Sequence, residues 1–185
     1  CNYLDMPLQH GSSEMLKIMR RGITREKTEA LINTIRDKVP GIAIRTTLIA
    51  GHPGETEEHF EEMYHFVEKM RFERLGIFQY SHEDDTHSFS LPDDIPAEVK
   101  SERNDIIMEL QQDISNELNQ QKVGKEFKVL FDRKEGDYFI GRTEFDSPEV
   151  DNEVLLPTSQ FVSLGDFSQI KVVKAEEFDL YAELV

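Results

Sequence analysis

The chain has 185 residues, 38% hydrophobic and 31% charged, with one cysteine and a formal net charge of −16. That length accommodates one large domain or two small ones, and a single cysteine excludes an internal disulfide, which fits a reducing cytoplasm. No apolar run approaches the roughly 20 residues that span a bilayer, and CNYLDMPLQHG lacks the basic start and apolar core of a signal peptide, so a membrane partner is not expected and a cytoplasmic location is. A surface this acidic repels phosphate backbones unless a basic patch is segregated on one face, and it attracts a strongly basic protein instead. The bland alternative is that acidity merely keeps the protein soluble.

Taken in order, residues 3–8 predict a strand with Leu4, Met6 and Leu8 on one face, although Pro7 removes a ladder donor. Opening in a core strand without an initiator Met suggests a piece of a longer protein. Ser12 or Ser13 caps a helix carrying Met15, Leu16 and Met19, which Gly22 breaks; Thr24 caps a second helix with Leu31, Ile32 and Ile35 toward the core. Residues 42–49 are β-branched and apolar enough for a buried strand. Gly51, Pro53 and Gly54 then break it, and Thr56 caps a helix with Glu57 and Glu58 in its first turn. A glycine-containing strand-to-helix turn of this kind is either a plain connection or a ligand cradle at the strand's end.

The helix that follows carries Phe60, Met63, Tyr64, Val67 and Met70 at core spacing, and residues 75–80 form a third strand. This order predicts a right-handed parallel α/β series with too few strands to close a barrel. Residues 81–96 read as a polar loop. Its His82, Glu83, Asp84, Asp85 and His87 lack ligand spacing on a defined element, so no metal site is assigned. Residues 97–121 predict a long helix with a stripe of Val99, Ile106, Leu110, Ile114 and Leu118, bridging two bodies.

From Val123 the period changes to two. Phe127-Val129-Phe131, Tyr138-Ile140, Val154-Leu156, Ile170-Val172 and Phe178-Leu180 are five short alternating segments, a set that suits a small OB-like barrel. Such barrels often bind nucleic acid through basic and aromatic residues. Over residues 123–185, however, 7 Lys and Arg face 14 Asp and Glu, which disfavours RNA. The expected organisation is α/β plus all-β: a partial (β/α) barrel over 1–95, a linking helix over 96–122 and a five-stranded barrel over 123–185.

Several blocks then acquire a common meaning. YLDMPLQHGS, MRRG, RTTLIAGHPGETEEHF, IFQYS and IIMELQQDIS, in that order, resemble the methylthiotransferase branch of the radical S-adenosylmethionine enzymes, and the terminal barrel resembles their TRAM domain. The resemblance covers essentially the whole chain. It implies the C-terminal half of a radical-SAM partial barrel, its fourth to sixth strands present, with S-adenosylmethionine lying across the strand C-termini. It places Gly51 and Glu55 in the turn near the adenine and Ile49 against the base. It also makes Gln9, His10 and Arg45 candidates for the cofactor's polar groups or the substrate. The alternatives are backbone capping for Gln9 and His10, and a structural ion pair for Arg45, since a buried guanidinium needs a carboxylate either way.

Within the branch, GRTEFDSPEVDNEVLL, the ending GDFSQIKVVKAEEFDLYAEL and the acidity of the barrel resemble the members that methylthiolate an aspartate of ribosomal protein S-twelve, a basic protein. The rivals are a tRNA methylthiotransferase of the same family and a non-catalytic acidic adaptor for a basic protein. The family uses two 4Fe-4S clusters held by Cys triplets, one of them in a CxxxCxxC loop. This chain has only Cys1, so it lacks the cluster ligands and is expected to be inactive alone. The loop after Tyr80-Ser81 also departs from the Pro- and Gly-containing version of the family. An open edge at the first strand is expected to invite self-association.

Overall fold

The computed structural model describes residues 1–148 and 150–185; Glu149, inside the GRTEFDSPEVDNEVLL block, lies outside the described residues. The chain divides into two compact units, residues 4–111 and residues 112–185 together with 1–3.

The first unit is built on a three-stranded sheet in the order β1 (Tyr3–Asp5), β2 (Ala43–Ala50), β3 (Arg74–Gln79), with β2 and β3 parallel. The alternation of β2 sorts its side chains cleanly. Ile44, Thr46, Leu48 and Ala50 are buried on one face, and Arg45, Thr47 and Ile49 stand half-buried on the other. Helices α1 (Ser13–Ile18), α2 (Arg25–Lys38) and α3 (Glu57–Met70) contribute Met15, Leu16, Ile32, Phe60, Met63, Phe66 and Val67 to the buried core. Thr24 caps α2, and Thr56 caps α3 in a reciprocal box in which His59 Nδ1 accepts from the Thr56 N–H. Gly11 lets the chain pass close to α3, because a Cβ there would stand 2.8 Å from Met63 Cα.

The first strand is shorter than its 3–8 pattern suggested. Pro7 offers no N–H, and the Thr46 hydroxyl replaces the ladder, donating to Met6 O at 3.0 Å and accepting from Leu8 N–H. Pairing resumes as a single parallel bridge between Gln9 and Leu48. Leu31 is 41% exposed rather than core-facing, and Phe66 takes the fully buried place expected of Tyr64. Of the remaining positions on the inferred faces, Ile32 in α2 and Phe60, Met63, Val67 and Met70 in α3 are buried. Residues 81–96 contain a 3-10 turn, His87–Ser90, capped by Thr86.

Helix α4 (Ala97–Gln120) departs furthest from expectation. Ile107 and Ile114 are buried, whereas Ile106, Leu110 and Leu118 are only partly so. The rest of its buried stripe is polar: Lys100, Arg103, Gln111, Ser115 and Asn119. Each finds a partner, as burial of a polar group demands. In the first unit Gln111 donates to Phe72 O and Asn104 to Ile77 O. In the second, Ser115 donates to Glu177 O and Asn119 to the carbonyls of Glu176 and Glu177.

The second unit closes a five-stranded barrel from β4 (Glu126–Glu135), β5 (Tyr138–Arg142), β6 (Glu153–Pro157), β7 (Phe167–Ala175) and β8 (Asp179–Leu184), in the order β4-β5-β6-β8-β7. Among the described residues of this barrel the β6–β8 pair is parallel and the other pairs are antiparallel. The interior holds Val129, Phe131, Phe139, Val154, Leu156, Ile170, Val172, Leu180 and Ala182. The fifth alternating segment is displaced: Leu180 and Ala182 point inward and Phe178 is exposed. Gly141 sits where β4 and β5 slip register, and a Cβ on it would lie 2.6 Å from Val129 Cγ1 and 2.7 Å from Leu130 O.

Candidate functional site

The half-buried face of β2 and its neighbours leads to a cleft of about 490 Å³ in the first unit. Gln9, Thr47 and Ile49 line it from the strand ends, with Phe78, Gln79 and Tyr80 from β3 and its exit. Ile49 stands beside Phe78 and Thr47 beside Gly76 in the parallel register, so these residues share a face. Gln9 takes a left-handed backbone, φ 75°, while its N–H donates to Thr47 O and its carbonyl accepts from Ile49 N–H. Its main chain is thus used as a strand-end bridge, and the residue lines the cleft.

Behind the cleft is a buried polar lock. Glu55 Oε2 accepts from the Gly51 N–H at 3.0 Å and contacts His10 Nε2 at 3.1 Å; its Oε1 accepts from Arg103 at 2.8 Å. The side chains of His10 and Glu55 have no exposed surface. His10 Nδ1 accepts the Ser12 N–H, so the proton sits on Nε2 and is donated to Glu55. Burial alone would raise the Glu55 carboxyl. The hydrogen bond from His10, the Gly51 N–H and the Arg103 guanidinium outweigh it and hold the carboxyl below its usual range. Gly51 has φ 74°, and a Cβ on it would stand 2.2 Å from Lys100 Cγ, so any other residue at this turn is strained.

Arg45 lies apart from this lock. Its guanidinium meets Asp5 Oδ2 at 2.7 Å on the open side of the sheet. Of the six residues named from the sequence, the structure therefore brings His10, Gly51 and Glu55 together, sets Gln9 and Ile49 on the cleft wall, and pairs Arg45 with Asp5. Sequence reasoning missed Arg103, Lys100 and His52. The first two are cations on a stripe read as apolar. His52 Nδ1 donates to Pro53 O, and its Nε2 meets Ser88 Oγ at 2.7 Å. Burial pushes the His52 imidazole below its ordinary pKa despite the Pro53 hydrogen bond, so Nε2 accepts the Ser88 proton. Its place between two turn-forming residues, Gly51 and Pro53, was the only available signal.

Polar ties hold residues 81–96 to the turn and to α4: Ser88 to His52, Asp94 to the Gly54 N–H, and Asp93 to Lys100 Nζ at 2.6 Å. Among the described residues no group of three His, Cys, Asp or Glu side chains is arranged to hold a metal, and no helix is long and apolar enough to cross a membrane. A second cleft of about 870 Å³ opens along the end of α1, lined by Lys17, Arg20, Arg21, Thr24, His87 and their neighbours.

Comparison with known proteins adds two family matches and a set of relatives. Residues 1–67 match the radical SAM superfamily and residues 123–185 match the TRAM domain. Over the whole chain it is 64% identical to a ribosomal protein uS12 methylthiotransferase RimO of Cytophaga hutchinsonii, covering 43% of that protein. A protein of the same name from Christiangramia forsetii is 60% identical over 99% of this chain and 41% of its own length. That of Phocaeicola vulgatus is 53% identical over 100% and 43%. The chain thus spans less than half the length of these relatives. Among solved structures, the coproporphyrinogen III oxidase HemN of Escherichia coli, described as a radical SAM enzyme, is 25% identical over 58% of this chain and 25% of its own, with a TM-score of 0.47.

Proposed function

We propose that this chain, which belongs to the radical S-adenosylmethionine methylthiotransferases, supplies one wall of the cofactor cleft and the TRAM module of an enzyme that methylthiolates an aspartate of ribosomal protein uS12. The observation that carries this reading is similarity along the entire chain, at 64% identity, to a protein of that name. The cleft residues fit the cofactor. Its volume is within the range of small-molecule sites, Met19, Ile49 and Phe78 offer apolar surface for a base, and Gln9, Thr47 and Gln79 offer polar atoms for a ribose or amino-acid group. Gly76 adds no side chain to the same face, which leaves room beside Arg45.

An iron–sulfur cluster does not fit the residues of this chain. Its ligands are thiolates, and the chain has one cysteine, the exposed Cys1. S-adenosylmethionine bound here would supply the reactive sulfonium; the electron that cleaves it would come from clusters held outside these 185 residues. The roles of this chain's own side chains are positional. Ile49 and Gln9 hold the cofactor, and the Glu55 lock fixes the turn that carries Gly51. Arg45 keeps Asp5 neutralised at the sheet's open side.

The barrel's excess of 14 acidic over 7 basic residues favours a basic protein over tRNA as partner. Titrating the chain with purified uS12 and with tRNA over a range of salt tests the assignment. Binding of uS12 but not tRNA is expected; tight, salt-sensitive binding of tRNA alone would overturn it.

A further inference from the structure

The two clefts of the first unit share one lining residue, Arg21. It follows Arg20, which occupies a left-handed backbone position with φ 57°. The local hydrogen bonds explain why. The Arg20 N–H reaches Lys17 O at 3.0 Å, and the Arg21 N–H reaches Leu16 O at 2.7 Å. This is the double closure that ends a helix through a left-handed residue, a place that glycine fills at least cost. Glycine is available one step away, at Gly22, yet arginine holds the strained place.

Neither arginine has a side-chain partner among the described residues, in a chain where 37 acidic groups compete for 21 basic ones. Other arginines are engaged: Arg25 with Glu29, Arg36 with Glu73, Arg45 with Asp5 and Arg103 with Glu55. Lys17 lines the same cleft, and the nearby carboxylate of Glu14 is turned toward His59 at 3.3 Å. Complementing the negative end of α1 would account for a cation here, but two adjacent arginines, one in a costly conformation, exceed that need.

We propose that Arg20 and Arg21 form the receptor for a carboxylate side chain of the protein substrate, with the larger cleft seating the flanking peptide and Arg21 presenting the acidic residue to the smaller cleft. This rests on the reading above that the substrate is an aspartate within a basic protein. Electrostatics then acts on two scales. The acidic body draws a basic protein in, and a local pair of guanidiniums selects an acidic side chain on it.

The test uses this chain and a fluorescent Lys/Arg-rich peptide with a single aspartate, beside its asparagine counterpart. The wild-type chain is expected to prefer the aspartate peptide by about tenfold. The Arg20→Gln/Arg21→Gln variant should bind the asparagine peptide as before and lose the preference. Survival of the preference in that variant, or wild-type binding of both peptides equally, overturns the inference. If neither peptide binds the wild type, the basic-protein reading itself fails. If single-stranded RNA displaces the peptide and its own binding is lost in the same variant, the cleft takes phosphate and the proposal is wrong. Arg20→Gly provides the independent check: thermal midpoint up and preference down supports it, whereas midpoint up with preference intact refutes it.

Discussion

Replacing Arg103 with methionine is the sharpest test of the lock behind the cleft. The substitution keeps the aliphatic length of the side chain but removes the guanidinium that reaches Glu55 Oε1 at 2.8 Å, Glu55 O at 3.1 Å and Glu57 Oε2 at 3.1 Å. The Glu57 contact is at the surface and contributes little. Glu55 is different, because its side chain has no exposed surface and would keep its charge with only Gly51 and His10 as donors. Removing one partner of a buried pair costs about 3–5 kcal/mol, and the remaining donors recover part of this, so a loss of about 3 kcal/mol is expected. Hydrogen exchange of the β2 amides reads it in the first unit alone, as a protection loss of about a hundredfold. The linkage sign adds a second readout. A carboxyl lowered in the folded state contributes stability above its unfolded pKa that is lost as pH falls through the folded value. The acid side of the wild-type profile should therefore be steep, and flatter in the variant. A loss below about 1 kcal/mol, within the range of an exposed pair, would refute the reasoning.

Gly51→Ala meets both a left-handed φ and Lys100 Cγ at 2.2 Å, and is expected to cost about 2–3 kcal/mol in the first unit by the same exchange measurement. Gly141→Ala should destabilise the barrel by about 1–3 kcal/mol through Val129 and Leu130, with β2 exchange unchanged. His52, lowered by burial, favours the folded state when neutral. Protection of residues 86–91 should therefore fall as pH drops below about 6.5, and His52→Gln should remove that dependence. After reconstitution with iron and sulfide, the chain is expected not to cleave S-adenosylmethionine, and detection of 5′-deoxyadenosine would contradict the assignment of the clusters elsewhere.

The barrel was legible because its period of two is a direct imprint of inward and outward side chains, and β2 was legible as a run of β-branched and apolar residues. Thr56 announced α3 by its capping chemistry. What sequence could not convey was which helix face is buried when partners make polar residues acceptable there. Lys100, Arg103, Gln111, Ser115 and Asn119 satisfy backbone carbonyls or carboxylates distant in sequence, and a rule that equates burial with apolarity skips them. The first strand was overextended because the Thr46 hydroxyl's substitution for the Pro7 donor is a three-dimensional event. In the candidate site, His10 stood out as a polar residue at a strand end and Glu55 was named through the family resemblance; the engagement of Glu55 with Arg103 depends on α4.

That engagement spans 48 residues of sequence, which bears on the order in which the molecule matures during synthesis. A chain made from its N-terminus can form the β2–α3 connection as soon as residue 70 emerges, because its caps and its glycine turn are local. The carboxylate at its centre, however, stays without its guanidinium until α4 has been made. At translation rates of roughly 5–20 residues per second, the turn waits several seconds in a looser form. The cleft wall is thus completed late, by a helix that contributes none of its described lining residues.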